Sequence, residues 1–161
     1  MADVDGVFVY IVFTDGASLH SQNSASATWV IYTPTGKVLS SGGICLWPSS
    51  NNIIEYINMV ELLHDAISHG IQSLVLHIDS QLVVLQLNGV YHVRDPTLLW
   101  IFLRVRLLER QFENITYIHI PRNYNHVADS YENYVLDWHL IHRQWSIHIT
   151  CTHVNINNRS S

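Results

Sequence analysis

The sequence predicts an α/β domain on a five-stranded mixed sheet, an antiparallel three-strand meander plus two parallel strands, flanked by helices. Three observations carry that expectation. Residues 7–13, VFVYIVF, form an unbroken β-branched and aromatic run, which suits a central strand buried on both faces. Two further strand-like segments, 27–32 and 37–46, are joined by Thr33-Pro34-Thr35-Gly36, a hairpin signal. Beyond them, helical spacing alternates with short apolar runs in the order helix, strand, helix, helix, strand, helix.

The elements follow one another without a repeat or a low-complexity linker. Ser49, Ser50, Asn51 and Asn52 are all capping residue types. Helical spacing begins directly after them, through Tyr56, Met59, Val60, Leu63, Ala66 and Ile67, and Gly70 is placed to stop it. Leu74–Ile78 is a short apolar strand with Asp79 at its carboxyl end. Ser80 can cap a short helix over Gln81–Leu87, which Asn88-Gly89 closes. Asp95-Pro96 supplies an N-cap and a first-turn proline for a helix across Leu98–Gln111. Ile115–Ile120 alternates as a fifth strand, and a final helix is expected over His126–Asp137.

Residues 1–138 are therefore expected to form one domain, and residues 139–161 a C-terminal extension. In that extension Trp145, Ile147, Ile149 and Cys151 alternate with polar residues, which predicts an edge strand, the alternative being an ill-ordered tail. The alternation puts His148 and Cys151 on opposite faces. Zinc is not expected there, despite His139, His142 and His153 nearby.

A length of 161 residues suits one domain with a full core, and a 48% hydrophobic, 13% charged composition excludes a disordered chain. A net charge of −5 gives no basic fingerprint and counts against affinity resting mainly on phosphate charge. The two cysteines, Cys45 and Cys151, lack CxxC spacing, so a reducing compartment is expected. The opening MADVDGVFVYIVF has acids where a signal peptide needs bases, and its apolar run is too short to span a bilayer. The expectation is an intracellular protein, cytoplasmic or nuclear, neither secreted nor membrane-bound.

Four acids stand out by position. Asp15 and Asp79 each close an apolar run, and ligands of open α/β sheets collect outside the carboxyl ends of strands. Glu55 lies on the side of its helix that carries Met59, Leu62 and Ala66, where an inward carboxylate is costly unless neutralised. Asp129 falls near the start of the last helix. Taken singly, Asp15 and Asp79 also suit turns, Glu55 suits a first turn favoured by the helix dipole, and Asp129 suits a solvated face. Taken together, four converging carboxylates cannot all stay ionised without cations between them. Oxygen-only ligation favours Mg²⁺ or Mn²⁺ over zinc.

The residues around these acids resemble a known family. Phe13-Thr14-Asp15-Gly16-Ala17-Ser18 resembles the first-strand signature of ribonuclease H, and Asn51-Asn52-Ile53-Ile54-Glu55-Tyr56 resembles its TNNxAEY helix start. His77-Ile78-Asp79-Ser80-Gln81-Leu82-Val83-Val84 is similar to its DSQLVV element. Pro121-Arg122-Asn123 through Asn125-His126-Val127-Ala128-Asp129 is similar to its PRxxNxxAD element. All four stand in family order over roughly residues 9–138. The stretch Gln81–Leu99 looks most like the plant reverse-transcriptase-associated, archaeal-like branch found in LTR retrotransposon polyproteins.

The resemblance implies the ribonuclease H-like fold and two-metal hydrolysis of the RNA strand of RNA–DNA hybrids, leaving 5′-phosphate and 3′-hydroxyl ends. Asp15, Glu55, Asp79 and Asp129 would hold two Mg²⁺ ions about 3.5–4 Å apart, with Mn²⁺ as a substitute. Asn51, Asn52, Gln81 and, more weakly, Ser18 match positions that test for 2′-hydroxyls in the minor groove. His126 lies only three residues before Asp129, unlike the loop histidine of bacterial-type members; it reads as a cap or surface residue, with a proton-transfer role as the alternative. The basic handle of some family members has no counterpart, and Arg104, Arg106 and Arg110 read as a solvated helix face. A reverse transcriptase in a polyprotein is an expected partner. The rival expectations are a catalytically degenerate scaffold or partner-binding module, and an integrase, resolvase or exonuclease on the same fold.

Overall fold

The computed structural model describes residues 8–19, 24–46, 51–120 and 150–152. Strands β1 (Val9–Leu19), β2 (Ser24–Tyr32) and β3 (Val38–Leu46) form the expected antiparallel meander. Helix α1 (Asn51–Ser68) leads to β4 (Ser73–Ile78), and helices α2 (Gln81–Leu87) and α3 (Pro96–Glu109) precede β5 (Asn114–His119). Both β4 and β5 run parallel, β4 beside β1 and β5 beside β4. The five strands stand in the order β5-β4-β1-β2-β3, and a short β6 (Thr150–Thr152) adds in parallel to the outer edge of β3. The helix expected over His126–Asp137 lies outside the described residues. Among the described residues no helix is long and apolar enough to cross a membrane.

Local chemistry explains the boundaries. Gly70 ends α1 at φ +71°, a left-handed conformation that glycine adopts without steric cost. The Ile71 amide then reaches back to the Ala66 carbonyl (3.1 Å), satisfying one of the last carbonyls of the helix. Ser80 accepts from the Val83 amide at the start of α2, and Asp95 from the Leu98 amide (2.9 Å) at the start of α3, with Pro96 in its first turn. Two expectations shift. The asparagines 51 and 52 are inside the first turn of α1 rather than before it. Arg106 is not part of a solvated face: it bonds Glu109 (2.9 Å), donates to the Leu87 carbonyl (2.6 Å) and lies 4.7 Å over the Phe102 ring. It fastens α3 to the carbonyl end of α2, where a helix dipole favours a cation.

The main core lies between α1 and one face of the sheet. Tyr56, Leu62, Leu63 and Ala66 of α1 are fully buried against Val12, Ile31, Leu74 and Leu76. Each such aliphatic side chain contributes about 1.5–3 kcal/mol by leaving water. Phe13, Val30 and Tyr32 form a smaller cluster. Asp65 joins three elements, accepting from Trp29 Nε1 (3.4 Å) and from Ser40 Oγ (2.5 Å).

The Trp29 ring needs room that only glycine leaves. Trp29 and Gly42 are register partners across β2 and β3, and a Cβ at Gly42 would come within 2.4 Å of the indole carbons. The ring is itself buried, so it cannot swing away cheaply. Gly42→Ala should therefore destabilise the fold by about 1–3 kcal/mol in urea unfolding, and Trp29→Phe in the same chain should recover part of the loss. Equal stability of Gly42→Ala and wild type would show that the strands are not packed this closely.

Candidate active site

The parallel pairing of β1 with β4 ends at Phe13 opposite His77, although β1 itself runs on. Thr14 and Asp15 pair only on their other side, with Trp29 and Thr28 of β2. Asp15 is therefore not at the end of its strand, as expected, but in the middle of a longer one. What ends beside it is the neighbour: β4 stops at Ile78, and Asp79 follows immediately. A notch opens in the sheet at this point, and both acids stand at it. The physical cause is a difference in strand length, since β1 continues as a ribbon with β2 after β4 has turned into α2.

Several bonds hold the notch. Thr14 Oγ1 donates to the His77 carbonyl (3.4 Å), and His77 Nδ1 to the Val12 carbonyl (3.3 Å). A carbonyl can only accept, so the ring proton sits on Nδ1. Burial pushes the His77 pKa down to about 4 against the opposing pull of that bond, so the ring is neutral at physiological pH. Its ring stacks on Phe13 at 4.5 Å and 11°. From the other side, buried Tyr56 of α1 donates to Gln86 Oε1 of α2 (2.8 Å). Burial raises the Tyr56 hydroxyl above the ordinary phenol range, which keeps it a donor. This bond sets the helix bearing Glu55 against the helix that begins two residues after Asp79.

The outcome is one recess lined by Asp15, Glu55 and Asp79, with Thr14 and Asn58 beside them and Met59, Ile78 and Val83 as apolar wall. Among the described residues no lysine, arginine or histidine lines it. All three carboxylates are half-buried. Three carboxylates in a recess without a basic side chain are a donor set for hard divalent cations such as Mg²⁺ or Mn²⁺. Among the described residues no three acidic, histidine or cysteine side chains stand together closely enough to hold a metal ion. The acids share a recess, then, rather than a finished coordination sphere. Asp129 and His126 lie outside the described residues.

The expected substrate readers do not line the recess but lie on the elements that carry or follow its acids. Asn51 is exposed and Asn52 half-buried, one turn before Glu55, and Gln81 is exposed at the start of α2. Ser18 lies in β1 opposite Ala25. Sequence reasoning missed Asn58. It is 2% exposed, donates from Nδ2 to the Thr28 carbonyl (3.2 Å) and so ties α1, one turn past Glu55, to the strand that backs Asp15. The available signal was an asparagine three residues after Glu55 on an otherwise apolar face.

Known proteins show the same arrangement of chain. A family model described as "Reverse transcriptase-like" matches residues 13–135. Ribonuclease HI of Halobacterium salinarum is 34% identical over 125 residues, covering 78% of this chain and 63% of the relative, so the chain spans under two thirds of that relative's length. The crystal structure of RNase H1 from the same archaeon superposes with a TM-score of 0.66 at 32% identity, covering 80% of this chain and 98% of that one. The structure of LC11-RNase H1 in complex with an RNA/DNA hybrid gives a TM-score of 0.66 at 29% identity, covering 81% of this chain and 99% of that one.

The charge arrangement has a consequence that needs no substrate. In chelator, Asp79→Asn should melt at or above the wild-type temperature, a gain of up to about 1 kcal/mol from removing one of three like charges. Adding Mg²⁺ should raise the wild-type melting temperature and move that of Asp79→Asn far less. An equal Mg²⁺ shift in both proteins would show that the recess is not where the ion binds.

Proposed function

This chain belongs to the ribonuclease H-like family, and on that premise we propose that it is a metal-dependent endoribonuclease that hydrolyses the RNA strand of RNA–DNA hybrids. The observation that carries the proposal is the single recess shared by Asp15, Glu55 and Asp79, with no basic side chain lining it among the described residues. The hybrid bound to LC11-RNase H1 supports the choice of substrate. The family model's description supports descent from a retroelement and a reverse transcriptase as partner.

Asp15, Glu55 and Asp79 would hold two Mg²⁺ ions, Mn²⁺ serving as a substitute, with Asp129 as the fourth ligand. Bound there, the ions would activate a water and stabilise the leaving 3′ oxygen, giving 5′-phosphate and 3′-hydroxyl ends. The chain's own task is to keep three like charges together before any ion arrives. The Thr14–His77, His77–Val12, Tyr56–Gln86 and Asn58–Thr28 bonds do this by fixing β1 to β4, α1 to α2 and α1 to β2. The neutral His77 adds no charge of its own beneath the site. Asn51, Asn52 and Gln81 are uncharged, and they suit recognition of 2′-hydroxyls in the minor groove, which offers donors and acceptors rather than phosphate charge. A reader of that kind works on a chain with net charge −5.

Incubating labelled RNA–DNA hybrid, double-stranded RNA and double-stranded DNA with the protein and Mg²⁺ tests this directly. Only the RNA of the hybrid should be cut, and Asp79→Asn should slow cleavage at least about a hundredfold, or about 3 kcal/mol of barrier. No hybrid cleavage at any Mg²⁺ or Mn²⁺ concentration would overturn the enzymatic reading in favour of a scaffold. Full activity in Asp79→Asn would overturn the site.

A further inference from the structure

Helix α3 is apolar on both sides, and only one side is covered. Leu98, Val105 and Leu108 are buried against the core, with Ile101 and Phe102 packed beside them. On the opposite side Trp100 is 74% exposed, Leu103 47% and Leu107 59%. Their spacing of three and four residues puts them in one stripe along the solvent face. A helix apolar all round is normally buried all round. None of its residues lines the carboxylate recess, so this face has no part in the chemistry proposed above.

Charge identifies what would cover it. Exposed Arg104 and Arg110 border the stripe, and exposed Arg94 precedes the helix. Of the nearby acids, Asp95 caps α3 and Glu109 is paired with Arg106, while exposed Glu113 lies beyond Arg110, past the end of the helix. The chain as a whole is net negative, so this stripe is a local positive field around an apolar seam. We propose that the outer face of α3 is a docking surface for an amphipathic helix of another protein, with an apolar seam flanked by glutamate or aspartate. A second copy of this chain would set arginine against arginine. Of the chain's own segments before β1 and after β5, 138–161 contain no acid and add Arg143 and Arg159, and 1–7 are too short for such a helix. The acids of 121–137 include Asp129, proposed above as a ligand in the recess. Nucleic acid could stack on Trp100 at one end of the stripe, but Leu103 and Leu107 along the rest of it offer neither charge to a phosphate nor a ring to a base.

The probe is a synthetic helical peptide with leucines in a single seam, made with glutamate flanks and again with lysine flanks, titrated against the full chain. The glutamate peptide should bind at least about tenfold more tightly than the lysine peptide. L103S/L107S should weaken it at least about tenfold, and R104E/R110E should reverse the preference. All these positions are exposed, so the variants should keep the wild-type melting curve and hybrid cleavage rate. Equal binding of the two peptides, or binding untouched by both variants, overturns the proposal. A dimer in sedimentation equilibrium that L103S/L107S dissolves overturns it in favour of a second copy. Weaker hybrid affinity in L103S/L107S overturns it in favour of nucleic acid.

Discussion

The contact on which the rest depends is the parallel pairing of Val9–Phe13 with Ser73–His77. It is short, and it ends before either β1 or the β1–β2 ribbon does. Two carboxylates, Asp15 and Asp79, gain a common space where that pairing stops. Parallel strands need a crossover, and here the crossover is α1 together with the β2–β3 hairpin. The same crossover carries Glu55 across the sheet face to the notch, so a single topological feature assembles all three acids. Each acid alone would be an ordinary polar residue at a partly exposed position.

Holding them costs free energy, and the surrounding structure shows where the compensation lies. The core under α1 is continuous from Val12 and Ile31 through Leu62 and Leu63 to Leu74 and Leu76. Among the described residues, polar bonds at the notch link different elements: β1 to β4, α1 to α2 and α1 to β2. Breaking a buried bond of this kind leaves a desolvated partner, which costs more than the bond itself contributes. These bonds hold the elements of the notch together without any ion, and a cation entering it would meet three carboxylates lining one recess. Helix α2 takes part through its two ends. Its N-terminus follows Asp79, and its C-terminal carbonyls are gripped by Arg106, so α3 steadies the site from a distance.

Much of this was legible in the residues. The capping chemistry at Ser80, Asp95 and Gly70 acts within a few residues, so helices α2 and α3 and the end of α1 could be placed from sequence to within two residues. Asp15, Glu55 and Asp79 could be flagged because position and burial cost are local properties, and the family motifs joined them. Asn58 was not flagged, since its value lies in a bond to the Thr28 carbonyl thirty residues away. Arg106 was misread as solvated, because only the approach of α2 gives its guanidinium carbonyls to bind.

The sequence by itself determined the order of elements, the strand and helix periodicities and the chemical types at the site, all of which follow from short-range sterics and hydrophobic spacing. It also determined membership in a family, through four motifs in one order. Only the tertiary structure decided that Asp15 sits in the middle of a strand, beside the end of a shorter neighbour. Strand length depends on which partner is alongside, and no local residue pattern encodes where that partner stops. The same limit applies to α3, since only the fold decides which of its apolar residues are covered and leaves Trp100, Leu103 and Leu107 exposed.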